Sequence, residues 1–106
     1  MYRLVWEFDV HAEKLAEFEQ VYSPEGRWAT FFQQSPDYAG TQLYRNTQDA
    51  RRFIAVDQWR SRISYETFRK QHAEDYATLD QECRQLLVRE RMLGVTDDGK
   101  DSFLIQ

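Results

Sequence analysis

The stretch Arg51-Arg-Phe-Ile-Ala-Val-Asp-Gln-Trp59 is followed at Ser61 by a segment of helical period that extends to Leu86. The β-branched and aromatic residues of the first part predict a strand over 52–59. Ser61 is a candidate N-cap for the helix after it. Along that helix, residues at helical spacing form an apolar stripe that includes one histidine: Tyr65, Phe68, His72, Tyr76, Leu79, Cys83 and Leu86. A single helix of this length is long for a small domain, so we expect a break near residues 71–73.

The rest of the chain supplies three more strands and one more helical region. The segment 2–10 alternates, with Leu4, Trp6, Phe8 and Val10 on one side, and predicts a half-buried strand. Helical spacing over 12–22 and 28–34 predicts a helix and a short continuation. Strand patterns follow over 41–47 and 87–95. The order β-α-β-β-α-β predicts an α+β, ferredoxin-like domain: a four-stranded antiparallel sheet with helices on one face.

Composition excludes several classes of function. A length of 106 residues predicts one domain. The net charge of −4 argues against a nucleic-acid partner, because nucleic-acid binding normally requires a basic surface. No apolar run is long enough for a membrane span. The single Cys83 cannot form an internal disulfide, which favours a reducing cytoplasm. Metal-ligand spacings such as HxxxH and CxxC are missing, so no metal site is predicted.

The outer face of the predicted sheet and the end of the chain both suggest further contacts. That face mixes Val5, Ile54 and Val56 with charged residues, which suits a sheet-to-sheet homodimer. We assign residues 1–95 to the domain and 96–106 to a C-terminal tail. The tail ends in the apolar Phe103-Leu-Ile105, so we expect it to dock on the domain or on the dimer partner.

Three stretches in this order resemble the antibiotic biosynthesis monooxygenase family. They are Val5-Trp-Glu-Phe8, Pro36-Asp-Tyr-Ala-Gly-Thr41, and Asp57-Gln-Trp-Arg-Ser61 followed by Tyr65, Phe68 and His72. The resemblance covers about residues 2–95. It implies a dimeric α+β barrel in which each protomer keeps a cavity between its sheet and its helices. Some members oxidise polycyclic phenols and anthrones with dioxygen and no cofactor, whereas others degrade haem.

His72 and Asp57 are the candidate catalytic residues. His72 could take a proton from a phenol or an activated methylene. The alternative is a core histidine that is hydrogen-bonded to backbone at the helix break. Asp57 shares a face with Ala55 and Trp59 by strand alternation, so it could serve as a base or pair with His72 or Arg45. The alternative is a strand-end carboxylate near solvent.

Aromatic side chains are the candidate walls of a substrate cavity. The predicted substrate-binding residues are Trp6, Phe8, Trp28, Phe32, Tyr44, Trp59, Phe68 and Tyr76. Any one of them could instead be plain core, since aromatic stripes at helical spacing commonly are. In haem-degrading relatives a tryptophan at the place of Trp59 lies over the ligand, which places this position at the cavity by resemblance. Those relatives also use an asparagine in the first strand, and Val5-Trp-Glu-Phe8 has none on its inward face.

The resemblance therefore implies three functions of different class. The first is a monooxygenase that needs no cofactor and oxidises a small aromatic molecule of the phenol, anthrone or quinol type with dioxygen. The second is a non-catalytic module that binds a small hydrophobic ligand or serves assembly. The third is haem binding or degradation, which the missing asparagine disfavours.

Overall fold

The computed structural model describes residues 1–98 and the backbone of 104–105. The predicted order of elements is confirmed. The strands predicted over 2–10 and 52–59 have the bounds that were expected. Short 3-10 turns at Ala12–Lys14 and Arg84–Leu86 precede the first helix and the fourth strand. The elements are β1 Tyr2–Val10, α1 Leu15–Tyr22, α2 Arg27–Phe32, β2 Tyr38–Arg45, β3 Arg52–Trp59, α3 Arg62–Gln71, α4 Ala73–Cys83, β4 Leu87–Asp97 and β5 Leu104–Ile105.

The sheet is antiparallel, with strand order β2-β3-β1-β4-β5. The first four strands in this order form the predicted ferredoxin-like sheet. β5 comes from the C-terminal tail and pairs its two residues with Val95 and Thr96 of β4. Phe103, the first residue of the predicted apolar tail, lies outside the described residues. In the described part of the chain, no helix is long and apolar enough to cross a membrane.

The core lies between the helices and one face of the sheet, in two clusters. One cluster centres on Phe18 of α1, which contacts Phe8 and Phe53 on the central strands. The other centres on Trp59, which packs against Phe32 and Phe68. Two further tryptophans, Trp6 and Trp28, pack against both clusters. The candidate site lies where the two clusters meet.

A bulge in β2 brings two residues of that strand to the same face. Tyr38 lies opposite Trp59, Gly40 opposite Gln58 and Thr41 opposite Asp57, so one extra residue is inserted between positions 38 and 40. Gly40 has φ +117°, a backbone conformation that residues other than glycine rarely adopt. Because of the extra residue, Tyr38 and Thr41 both face the helices although they are three positions apart.

β4 also contains bulges, and the first of them decides which of its side chains face inward. Leu87 lies opposite the buried Val10, but Arg89 lies opposite Asp9, so Val88 has no partner of its own. The strand therefore turns Glu90 to the helix side, opposite Phe8. The strand pattern over 87–95 did not predict this bulge.

Ion pairs cross the outer face of the sheet. The Arg91 guanidinium contacts the Glu7 carboxylate at 2.6 Å. The Asp9 carboxylate contacts Arg52 at 2.8 Å on one side and Arg89 at 3.0 Å on the other. These contacts couple β1 to both of its neighbours. They also hold the pKa of Asp9 below its usual value, because the Arg52 hydrogen bond and charge favour the ionised form.

Candidate functional site

A cavity with aromatic and acidic walls lies between the sheet and the helices. It leaves about 40 Å³ for the centres of water-sized molecules, which is room for a few waters. Both tryptophans that join the core clusters line it. Its walls are Trp6, Phe8, Tyr22, Trp28, Phe32, Thr41, Ala55, Asp57, Tyr76, Asp80 and Glu90. Among the described residues, the lining contains no lysine, arginine or histidine.

Asp57 is the carboxylate placed in this cavity by β3. Strand alternation turns it inward together with Ala55 and Trp59, as predicted. Its Oδ1 atom accepts a hydrogen bond from the Thr41 hydroxyl at 2.7 Å. Burial raises its pKa to about 6, while hydrogen bonds from Thr41 and Trp6 oppose this rise. A carboxylate with such a pKa is ionised at neutral pH and is a much stronger base than an exposed aspartate.

Asp80 and Glu90 form an acidic mouth to the cavity. Asp80 lies on α4 and pairs with Arg84 at 2.9 Å. Glu90 reaches the cavity through the β4 bulge, and its pKa is raised by burial and by the nearby Asp80 charge. Both residues, together with Trp6, also line an outer groove between α4 and β4. The groove and the cavity therefore adjoin at these three residues. Neither Asp80 nor Glu90 was predicted at a site. For Glu90 the reason is the bulge, which alone turns it inward.

Two tyrosines, the buried Tyr22 and the half-buried Tyr76, complete the cavity wall. Burial raises the pKa values of Tyr22 and Tyr76, so both hydroxyls remain protonated at neutral pH. The ring of Trp28 lies between them, with its centroid 5.1 Å from that of Tyr76. The guanidinium of Arg69 lies over the Tyr76 ring at 3.6 Å. Tyr22 was not predicted at the cavity, because its helical spacing in α1 indicates only a core position.

The structure brings six of the predicted site residues to one cavity. They are Trp6, Phe8, Trp28, Phe32, Asp57 and Tyr76. They come from β1, α2, β3 and α4. The expected pairing of Asp57 with Arg45 does not form, because Arg45 contacts Glu19 at 2.5 Å and lies over the Phe53 ring.

Tyr44, Trp59 and Phe68 were expected to line the cavity and do not. Tyr44 pairs with Ile54 on the outer face of the sheet and is 51% exposed, because neighbouring strand residues point to opposite faces. Trp59 and Phe68 contact each other in the second core cluster, where they are 0% and 2% exposed. These two rings fill the core beyond the cavity.

His72 lies at the predicted helix break, between α3 and α4, and outside the cavity. Its backbone N–H donates to the Phe68 carbonyl at 2.9 Å. Its ring packs on Phe68, with centroids 4.3 Å apart, and borders a separate polar groove with Asp37, Ser61 and Gln71. The structure therefore separates the two candidate catalytic residues, and the expected pairing of Asp57 with His72 does not form.

Asp57 is expected to make the protein less stable as the pH rises. Its folded pKa of about 6 exceeds the unfolded value near 4, so the folded state binds the proton more tightly. This contribution to stability is full below about pH 4 and is lost as the pH rises through 6. Asp57→Asn should therefore be more stable than the wild type at pH 7.5 by about 1–3 kcal/mol, and equally stable at pH 4. Urea unfolding at both pH values tests this. The same difference in free energy of unfolding between the variant and the wild type at pH 4 and pH 7.5 would contradict it.

The family can be assigned from the sequence. A family model described as antibiotic biosynthesis monooxygenase matches residues 1–77. The chain belongs to this family. Among curated proteins, none matches this antibiotic biosynthesis monooxygenase family member. The resemblance proposed from the three sequence stretches is thereby confirmed.

Solved structures share the fold of this antibiotic biosynthesis monooxygenase family member. A mutant of SnoaB, a cofactor-independent oxygenase from Streptomyces nogalater, is 22% identical with a TM-score of 0.75, covering 94% of each chain. A protein from Deinococcus radiodurans, provisionally assigned to the same family, is 12% identical with a TM-score of 0.73 over 100% of both chains. Another provisional member, from Nitrosomonas europaea, is 12% identical with a TM-score of 0.69, over 93% of this chain and 99% of its own.

Proposed function

We propose that this protein is a monooxygenase that needs no cofactor and oxidises a small aromatic substrate of the phenol, anthrone or quinol type with dioxygen. The observation that supports this most is Asp57, a desolvated carboxylate with a pKa of about 6 in an aromatic cavity. Family membership and the fold shared with SnoaB are consistent with it. Asp57, rather than His72, takes the role of the base because it lines the cavity.

The proposed reaction starts when Asp57 accepts a proton from an activated C–H or O–H group of the substrate. The substrate anion then gives one electron to dioxygen, and the substrate radical and superoxide combine to a peroxide. The proton held by Asp57 passes to that peroxide. Loss of a second substrate proton with the distal hydroxide, as water, leaves a quinone. The protein supplies orientation, exclusion of water and a base, and the substrate supplies the electrons.

Access to the cavity requires movement of side chains. Space for a few waters is too little for a tricyclic substrate in the conformation described. Trp6 borders both the cavity and the outer groove, so rotation of its side chain would join the two. The substrate would enter past Asp80 and Glu90.

The small cavity also supports the alternative function, a module that binds a small hydrophobic ligand without catalysis. Haem binding receives no support from this site, since none of the described histidines lines the cavity. Oxygen uptake by the purified protein with anthrone, 1-naphthol and a naphthoquinol distinguishes the two functions. Enzymatic uptake with quinone formation supports the oxygenase. Binding of these compounds, seen as quenching of tryptophan fluorescence, without uptake favours the module.

We also propose the homodimer that the family resemblance implies. The outer face of the sheet supports it, because Val5, Ile54 and Val56 are half-buried among the cross-strand ion pairs rather than covered by helices. Native mass spectrometry of the full chain tests it. A dimer is the expected result, and a monomer at micromolar concentration would contradict the proposal.

A further inference from the structure

A chain of hydrogen bonds leads from β2 to the proposed base. The Tyr38 hydroxyl hydrogen-bonds the Thr41 hydroxyl, and the Thr41 hydroxyl donates to the Asp57 carboxylate at 2.7 Å. We propose that Thr41 and Tyr38 are positioning residues, which fix the Asp57 carboxylate in the cavity wall and favour its ionised form. The catalytic meaning of this inference rests on the function proposed above, but the hydrogen-bond chain can be tested without a substrate.

The direction of the hydrogen bonds follows from the number of protons. A threonine hydroxyl carries one proton, and Thr41 gives it to Asp57. Its oxygen can then only accept from Tyr38, so both O–H groups point toward the carboxylate. Burial raises the pKa of Tyr38 to about 12, so Tyr38 keeps its proton throughout the neutral range. Hydrogen bonds in such a series polarise and strengthen one another.

The β2 bulge makes this arrangement possible. In a regular strand, residues three positions apart point to opposite faces. The extra residue before Gly40 places Tyr38 and Thr41 on the same face, with Thr41 directly opposite Asp57. The Tyr38 ring packs against Phe32 and Trp59, each with its centroid 5.4 Å away.

The hydrogen bonds oppose the destabilising surroundings of the carboxylate. The titratable groups that face Asp57 are Tyr38 on β2, Tyr22 on α1, Tyr76 and Asp80 on α4, and Glu90 on β4. None of these can offer a positive charge. In the described lining, ionised Asp57 is therefore stabilised by donors alone. Of the two donors, Thr41 lowers the pKa of Asp57 more than Trp6 does.

The test is a carboxyl titration of the full-length protein by ¹³C NMR, with the Asp57 signal assigned by its loss in Asp57→Asn. Thr41→Val keeps the shape of the side chain but removes the hydroxyl, and should raise the Asp57 midpoint by about one pH unit. Thr41→Ser keeps the hydroxyl and should leave the midpoint within about 0.3 units. Tyr38→Phe removes only the hydrogen bond that Tyr38 donates to Thr41, and should cause a smaller upward shift of the Asp57 midpoint.

An unchanged midpoint in folded Thr41→Val would overturn the proposal. Should that variant fail to fold, an unchanged midpoint in Tyr38→Phe would overturn it equally. A merely structural role would alter stability without moving the midpoint. Because no substrate is present, failure of the proposed oxygenase function would appear separately, as missing oxygen uptake alongside the expected NMR shifts.

Discussion

Asp57→Asn is expected to lower the rate of substrate-dependent oxygen uptake by about 10²–10⁴-fold, the usual contribution of a positioned general base. The substitution keeps the shape of the side chain and an oxygen that can accept from Thr41, but it removes the basic group. In the wild type, kcat/KM should rise with pH through about 6, since the base must be ionised. Oxygen-electrode measurements across pH 5–8 would record both effects.

Two control variants separate the base from its surroundings. His72→Ala changes the other candidate base, which lies outside the cavity, and is expected to keep the rate within a few-fold of the wild type. Asp80→Asn removes a mouth carboxylate and should act mainly on KM. The assignment of the base would be wrong if Asp57→Asn kept the wild-type rate or if His72→Ala lost activity while its folding was intact.

Trp59→Ala is expected to lower the free energy of unfolding by about 3–5 kcal/mol, the range for large-to-alanine changes in cores. Trp59 is fully buried and contacts the rings of Phe32, Tyr38, Tyr65 and Phe68. Its removal would leave a cavity that these rings cannot close. Urea unfolding monitored by circular dichroism measures the loss.

Trp59→Phe is the matched variant. The Trp59 indole N–H is buried without a hydrogen-bond partner, so phenylalanine loses ring volume but no hydrogen bond. We expect a loss near 1 kcal/mol. Tyr44→Ala, at a position that is 51% exposed, should change stability by less than about 0.5 kcal/mol. A loss below about 1 kcal/mol in Trp59→Ala would show that this ring is not a core element.

Hydrophobic periodicity predicted the fold because the central strands follow it without interruption. β1 and β3 alternate cleanly, and both were predicted with the bounds that the structure has. The inward position of Asp57 followed from the same rule. The helix break at His72 followed from length, since one unbroken helix would outgrow the sheet that it covers.

Bulges explain what periodicity could not predict. One extra residue reverses the facing of everything beyond it, and a bulge has no strong sequence signal apart from a glycine such as Gly40. Glu90 was therefore missed at the cavity mouth. Trp59 and Phe68 were predicted to line the cavity but lie in the core, for another reason. Aromatic rings at core spacing can line a cavity or fill the space behind it, and only three-dimensional packing decides between them.

The ion pairs on the outer face have a consequence for folding fidelity. If β4 paired with β1 without its first bulge, Arg89 would lie opposite Phe8 in the aromatic cavity, and Glu90 would lie opposite Glu7. That misaligned sheet would bury a guanidinium and set two carboxylates against each other. In the native alignment, Glu7 meets Arg91 and Asp9 meets Arg89. Charges that add little to stability individually thus reject the wrong alignment of the strands, and with it a cavity that has Arg89 in place of Glu90.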